Sequence, residues 1–180
     1  MKFLAILLGI LQVFQHPAVQ STRLSEGSTT FILVRHAEKE RAGSDPELSA
    51  EGRQRAADLS MMLRKMQIDA IYSTPFKRTK QTVMPLAKAK DLPIIEYSAS
   101  MPYDQFIDEL SAKHPNKVVV IAGHSNTIPE ILKVLSKGSF SISIEDGEYD
   151  NLFVVTCSTE PNPSIIHLKY GNQLQTQSSN

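Results

Sequence analysis

The chain has 180 residues, 41% of them hydrophobic and 21% charged, which is enough apolar material for one sizeable core and too much for a disordered chain. Nineteen basic and nineteen acidic residues cancel, so no overall field draws the protein to nucleic acid or to an anionic membrane, and any anion binding must be local. The single cysteine, Cys157, excludes an internal disulfide, and its apolar surroundings predict a structural thiol rather than a reactive one.

At the start of the chain, Lys2 precedes an apolar run at residues 3–14 that is broken only by Gly9 and Gln12 and is followed by Gln15, His16 and Pro17. This reads as a secretory signal peptide over residues 1–20, with a secreted or periplasmic product. The run is shorter than the ~20 residues a membrane-crossing helix needs, so no stable membrane anchor is expected after cleavage. Residues 21–29, rich in Ser and Thr with Gly and Glu, predict an exposed lead-in to a single domain over 30–170, and the Gln- and Ser-rich residues 171–180 predict a flexible tail.

Residues 30–34 are uncharged and rich in β-branched, aromatic and leucine side chains, the composition of a strand buried on both faces of a parallel sheet. Arg35, His36, Glu38 and Lys39 then fall at its carboxyl end, where open α/β sheets bind ligands. After a polar loop to Pro46, Ser49 predicts an N-cap, with Glu51 in the first turn of a helix. Ala56, Leu59, Leu63 and Met66 form its apolar face, and Arg53, Arg55, Asp58 and Arg64 are expected on a solvated one. Residues 69–73 predict a second strand. Thr74 as N-cap and Pro75 at the first helical position would open a helix that carries Arg78 and Thr82 and is kinked or ended by Pro85.

A third strand is expected at 93–97, followed by a loop to Tyr103 and a helix capped by Asp104 that buries Phe106, Ile107 and Leu110. Residues 117–122 are the clearest strand in the chain. Gly123-His124-Ser125-Asn126 follows at once, then a helix over 127–135 with Pro129 in its first turn. A polar loop at 139–151 leads to two final strands at 152–157 and 164–170. Alternating strands and helices of this kind make an α/β fold with a doubly wound sheet.

Basic residues thus stand after three strands: Arg35 and His36, Arg78, and His124. If they converge, two guanidiniums and two imidazoles suit a phosphomonoester dianion, because arginine offers planar paired donors and stays charged. Helix N-termini near Thr74 and Asn126 would add backbone N–H groups. A histidine beside such positive charge should have its pKa pushed down, keeping a lone pair for attack. Lys39, Lys77 and Lys80 read as solvated.

These segments together resemble the histidine phosphatase superfamily, the phosphoglycerate mutase-like fold. Its strand ending in Arg-His-Gly is similar to Val34-Arg35-His36-Ala37, with alanine in the glycine position. Its Leu-Thr-x-x-Gly-x-x-Gln-Ala helix start is similar to the stretch from Leu48 to Ala56 with one register step, its Ser-x-x-x-Arg-Thr-x-Gln-Thr segment to the stretch from Ser73 to Thr82, and its Gly-His-Ser to Gly123-His124-Ser125. The resemblance implies a three-layer sandwich whose central, mostly parallel sheet is flanked by helices. It also implies a phosphatase that needs no metal or other cofactor. His36 would attack phosphorus to form a phosphohistidine that water hydrolyses, with Arg35, Arg78 and His124 holding the phosphoryl oxygens. Asp104 and Glu38 are the two candidate proton donors. The short chain favours phosphatase over mutase and is similar to small phosphohistidine phosphatases, and the expected partner is a small phosphorylated substrate.

Three other readings stay open on the sequence alone. The same fold could be a catalytically weak or silent binder of phosphorylated ligands, or a phosphohistidine protein phosphatase. His36, Glu38 and His124 could instead ligate a metal, although two nearby arginines suit that poorly.

Overall fold

A computed structural model describes residues 27–171. The apolar run at residues 3–14 and the end of the chain lie outside the described residues. The described chain alternates β1 (Thr29–Arg35), α1 (Ala50–Met62), β2 (Ala70–Ser73), α2 (Lys77–Lys90), β3 (Ile94–Glu96), α3 (Tyr103–Lys113), β4 (Val118–Gly123) and α4 (Thr127–Leu135). It closes with the consecutive strands β5 (Asn151–Cys157) and β6 (Ser164–Lys169). None of its helices is long and apolar enough to cross a membrane.

The six strands form one sheet in the order β3-β2-β4-β1-β5-β6. From β3 to β1 the pairings are parallel, as expected of βαβ units, whereas β5 pairs antiparallel with β1 and β6 antiparallel with β5, so the sheet is mixed. All seven residues of β1 are buried because the sheet is covered on both faces. Successive side chains point to opposite sides. Phe31 and Leu33 pack with Phe106, Ile128 and Ile131 of α3 and α4, while Ile32 and Val34 pack with Leu59, Val83 and Leu86 of α1 and α2. The result is a three-layer α/β sandwich.

The local expectations for α1 hold: Ser49 is its N-cap, accepting from the Gly52 N–H at 3.2 Å, and Glu51 is in the first turn. Two others differ. Thr74 is not a cap; α2 starts three residues later, and its Lys77 N–H is met by the Asp45 carboxylate at 3.1 Å, a partner 32 positions away in the chain. Pro85 neither ends nor breaks α2, which runs on to Lys90. An interior proline costs roughly 3 kcal/mol. Burying Val83, Leu86 and Ala87 around it against the sheet outweighs that loss, at roughly 1.5–3 kcal/mol for each large side chain. Asp104 likewise is not the cap of α3, whose N-cap position is Pro102; it lies inside the first turn, where its charge still favours the helix dipole. Cys157 is partly buried, and that burial pushes its thiol pKa up.

Candidate active site

The pairing register decides which strand ends meet. Arg35 is opposite Gly123, and Ser73 and Val34 both pair with Ala122. The residues that leave β1, β2 and β4 therefore emerge side by side, and His36, Thr74 and His124 are neighbours. The His36 N–H donates to the Gly123 carbonyl at 2.9 Å, extending the ladder by one step into the site.

The His36 ring is buried, and its Nδ1 lies 2.8 Å from the Ala37 carbonyl oxygen. A carbonyl can only accept, so the ring proton belongs on Nδ1 and Nε2 keeps the lone pair. Burial lowers the His36 pKa to about 3. The bond to Ala37 works against this, and the positive charges of Arg35, His124 and Arg78 add to it. Ala37 fills the position where the family pattern has glycine without a positive φ, and its N–H donates to Thr82 Oγ1 at 2.9 Å.

The second imidazole, His124, lies 5.4 Å from the first between ring centres. Its backbone N–H donates to Thr127 Oγ1 at 2.8 Å, its Nε2 is 2.9 Å from Thr74 Oγ1, and its Nδ1 is 3.5 Å from Arg78 Nη2. Guanidinium can only donate, which puts the His124 proton on Nε2, shared with Thr74. Burial first, then Arg78 and Arg35, lower its pKa to about 4. Both imidazoles are therefore neutral at pH 7.

Arg35 and Arg78 complete the cluster. Arg78, the second residue of α2, has its guanidinium 4.5 Å from the centre of the Phe76 ring and 3.7 Å from Asp45. Arg35 Nη1 donates to the Glu145, Asp146 and Glu148 carbonyls at 2.7, 3.1 and 3.1 Å. The Nε atoms of both arginines are buried with no hydrogen-bond partner. An unsatisfied buried donor costs about 1–3 kcal/mol, so two of them in one cluster point to a ligand that accepts from both. The pocket they share, about 370 Å³, is lined by Arg35, His36, Lys39, Phe76, Arg78, Ala99, His124 and the residues that open α4. Its charged lining is all positive, which suits an anion.

The two candidate proton donors do not line this pocket. Glu38 turns away and pairs with Arg55, Oε1 to Nη2 at 2.6 Å, in a larger cavity of about 590 Å³ whose lining includes five carboxylates beside Arg55 and Lys169. Arg55, expected on a solvated face, is thus half-buried in a pair that the helical pattern alone did not indicate. Asp104 is exposed, and its carboxylate accepts from the Gln105 N–H at 2.9 Å. The metal set of His36, Glu38 and His124 does not assemble, and among the described residues no group of three or more His, Cys, Asp or Glu is placed to hold a metal. Lys39, expected to be solvated, is exposed but also lines the pocket. Sequence reasoning gave Thr74 a capping role in place of its bond to His124, and it missed Phe76 and Tyr149, whose ring centre lies 5.9 Å from that of His36; an aromatic residue in a connecting segment carries no signal of its own.

A family model described as histidine phosphatase superfamily (branch 1) matches residues 31–99, a stretch that holds Arg35, His36 and Arg78. Over 98 residues the chain is 35% identical to phosphoserine phosphatase 1 of Hydrogenobacter thermophilus, covering 47% of this chain and 46% of that protein. It is 34% identical over 89 residues to a probable phosphatase of Schizosaccharomyces pombe, covering 45% and 32%. The chain thus spans less than half the length of these curated relatives. Among solved structures, the protein histidine phosphatase SixA complexed with tungstate superposes with TM-score 0.66 at 15% identity, covering 78% of this chain and 96% of that one. A phosphoserine phosphatase from Entamoeba histolytica in complex with 3-phosphoglyceric acid superposes with TM-score 0.59 at 19% identity, covering 81% and 98%. At these identities the structural likeness concerns the fold. The family match thus covers the stretch that carries the first strand and Arg78, and the chain shares the fold of these solved structures.

Proposed function

We propose that the protein is a phosphatase that needs no metal and hydrolyses small phosphomonoesters or phosphoramidates through a phosphohistidine on His36. The carrying observation is the pair of neutral, buried imidazoles beside two arginines whose Nε donors lack partners. A phosphoryl dianion satisfies both donors, and the surrounding positive charge stabilises the equatorial oxygens as the bond to the leaving group breaks.

Two displacements follow. The Nε2 lone pair of His36 attacks phosphorus, an N–P bond forms, and the P–O or P–N bond to the leaving group breaks with its electron pair. The Nδ1–H stays on the Ala37 carbonyl and stabilises the positive charge that the ring acquires. Water then attacks phosphorus from the side the leaving group vacated, the N–P bond breaks, and inorganic phosphate leaves with His36 neutral again. No carboxylate lines the pocket among the described residues, so the leaving group takes its proton from solvent or departs as the anion. This favours substrates whose leaving groups are weak bases.

The test is incubation of wild type and His36→Ala with a chromogenic phosphomonoester, followed by an alkaline quench. The reading expects turnover and an alkali-stable, acid-labile phosphoenzyme in the wild type and neither in the variant. Undiminished turnover by His36→Ala overturns it. Lys2 followed by the apolar run at 3–14 supports export to the periplasm or the medium. N-terminal sequencing of the protein recovered from its host tests that reading, and an intact Met1 or Lys2 in a cytoplasmic fraction overturns it.

A further inference from the structure

Tyr149 lies in the polar segment between α4 and β5, two residues after the Asp146-Gly147 turn. The structure ties that segment to the site at two points. Arg35 Nη1 is anchored by the three carbonyls of Glu145, Asp146 and Glu148. The Tyr149 ring then covers the guanidinium face, with its centre 4.3 Å from Arg35 Cζ. The same ring stands 5.9 Å from the His36 ring, tilted by 48°. A planar group held at one nitrogen and covered on one face has lost its rotational freedom. The direction of the remaining buried donor, Nε–H, is therefore set by the anchor and the ring together.

We propose that Tyr149 is a positioning residue of the phosphoryl site: its ring holds the Arg35 guanidinium on its carbonyl anchor so that Nε–H stays turned to the anion, and it screens the His36 imidazole from water. This rests on the reading of His36 as nucleophile. The contacts the structure gives Tyr149 at this site are made by its ring, so phenylalanine should serve and a small residue should not. The groups that face the His36 ring are Arg35 from β1, Arg78 from α2, His124 from the end of β4, and Tyr149. Removing the ring leaves the three positive or imidazole partners in place and takes away part of the burial, which is the largest cause of the low His36 pKa.

The experiment compares wild type, Tyr149→Phe and Tyr149→Ala by the dissociation constant of inorganic phosphate at pH 7, from titration calorimetry, and by an NMR titration of the histidine rings. Tyr149→Phe should match the wild type in both. Tyr149→Ala should weaken phosphate about tenfold, the scale of a largely desolvated cation–π contact. Its His36 titration midpoint should also move up from about 3 toward the ordinary histidine range. If Tyr149→Ala melts below the assay temperature, Tyr149→Leu, which keeps apolar volume without a π face, should show the same loss of phosphate affinity. An unchanged dissociation constant and midpoint in the small-residue variant overturns the proposal, and so does a Tyr149→Phe as impaired as Tyr149→Ala, which would move the role to the hydroxyl. Neither readout needs turnover, so a wild type that forms no phosphohistidine refutes the proposed function while these two still score the hold of Tyr149 on Arg35 and His36.

Discussion

Glu38 stands two residues after His36, yet its carboxylate is held by Arg55, which donates Nε to both oxygens at 3.0 and 2.9 Å and Nη2 to one at 2.6 Å. Arg55 Nη1 also reaches the Tyr170 carbonyl at 2.8 Å, so the pair ties the turn after β1 and helix α1 to the end of β6. Both side chains are largely buried, and removing one partner leaves the other charge poorly solvated, at a cost of about 1–3 kcal/mol. Glu38→Ala should therefore lower the melting temperature by several degrees. It should leave kcat/KM little changed on good and poor leaving groups alike. A loss confined to poor leaving groups would make Glu38 the proton donor after all.

Asp104 is the second carboxylate to be tested. It is exposed in the first turn of α3 and bonded to the neighbouring N–H, away from the all-positive lining of the pocket. With no carboxylic donor there, wild-type kcat/KM should fall steeply as leaving-group pKa rises across a series of aryl and alkyl phosphates. Asp104→Asn should reproduce that slope. A variant slope steeper than that of the wild type would show that Asp104 reaches the leaving group in the bound complex.

Strand β1, the faces of α1 and the ends of β2 and β4 were legible because burial marks the residues that suffer it, as an unbroken apolar run from Phe31 to Val34 where both faces are covered and as a helical period from Ala56 to Leu63 where one is. Arg35, His36, Arg78 and His124 were legible as a group because parallel strands deliver their carboxyl ends to one edge. What could not be read are the contacts that depend on distant partners. Asp45 capping α2 across 32 positions, Arg55 drawn off its helix face by Glu38, and Tyr149 laid over Arg35 are each ordinary residues until the fold closes. Pro85 shows the converse, a strong local rule overridden by the packing on either side of it.

The two site imidazoles make stability depend on pH. In the unfolded chain each titrates near 6.5, whereas in the fold His36 and His124 hold out to about 3 and about 4. Between those limits the unfolded state binds more protons, so stability is full above pH 6.5 and is lost as the pH falls toward 4. Burial lowers His114 and His167 as well, and they add in the same direction. Thermal melts from pH 7 to 4 should show a falling midpoint, with the slope reduced, not abolished, in His36→Gln. An equal slope in that variant would mean that His36 is not held neutral. Bound inorganic phosphate should oppose the fall, because its charge favours the imidazolium forms.

Gly52 carries the last constraint on the setting of His36. It lies in the first turn of α1 against the backbone of Glu38, and a Cβ placed on it would overlap the Glu38 carbonyl oxygen and stand 2.9 Å from the carbonyl carbon. That carbonyl also accepts the Ser49 N–H at 3.0 Å, so the turn after His36 is seated directly on the helix start. Replacing Gly by Ala inside a helix ordinarily gains up to about 1 kcal/mol. Here the methyl must displace backbone, and the nearest segment to move carries the Ala37 carbonyl that orients the His36 ring. Gly52→Ala should lower the melting temperature and reduce kcat/KM by about 10- to 100-fold, the scale expected for a nucleophile moved by a fraction of an ångström to an ångström. Ala57→Gly, at an exposed position of the same helix, should cost about 1 kcal/mol of stability and leave kcat/KM alone. If the two variants lose stability equally and neither loses activity, the contact between α1 and Glu38 does not set the position of His36.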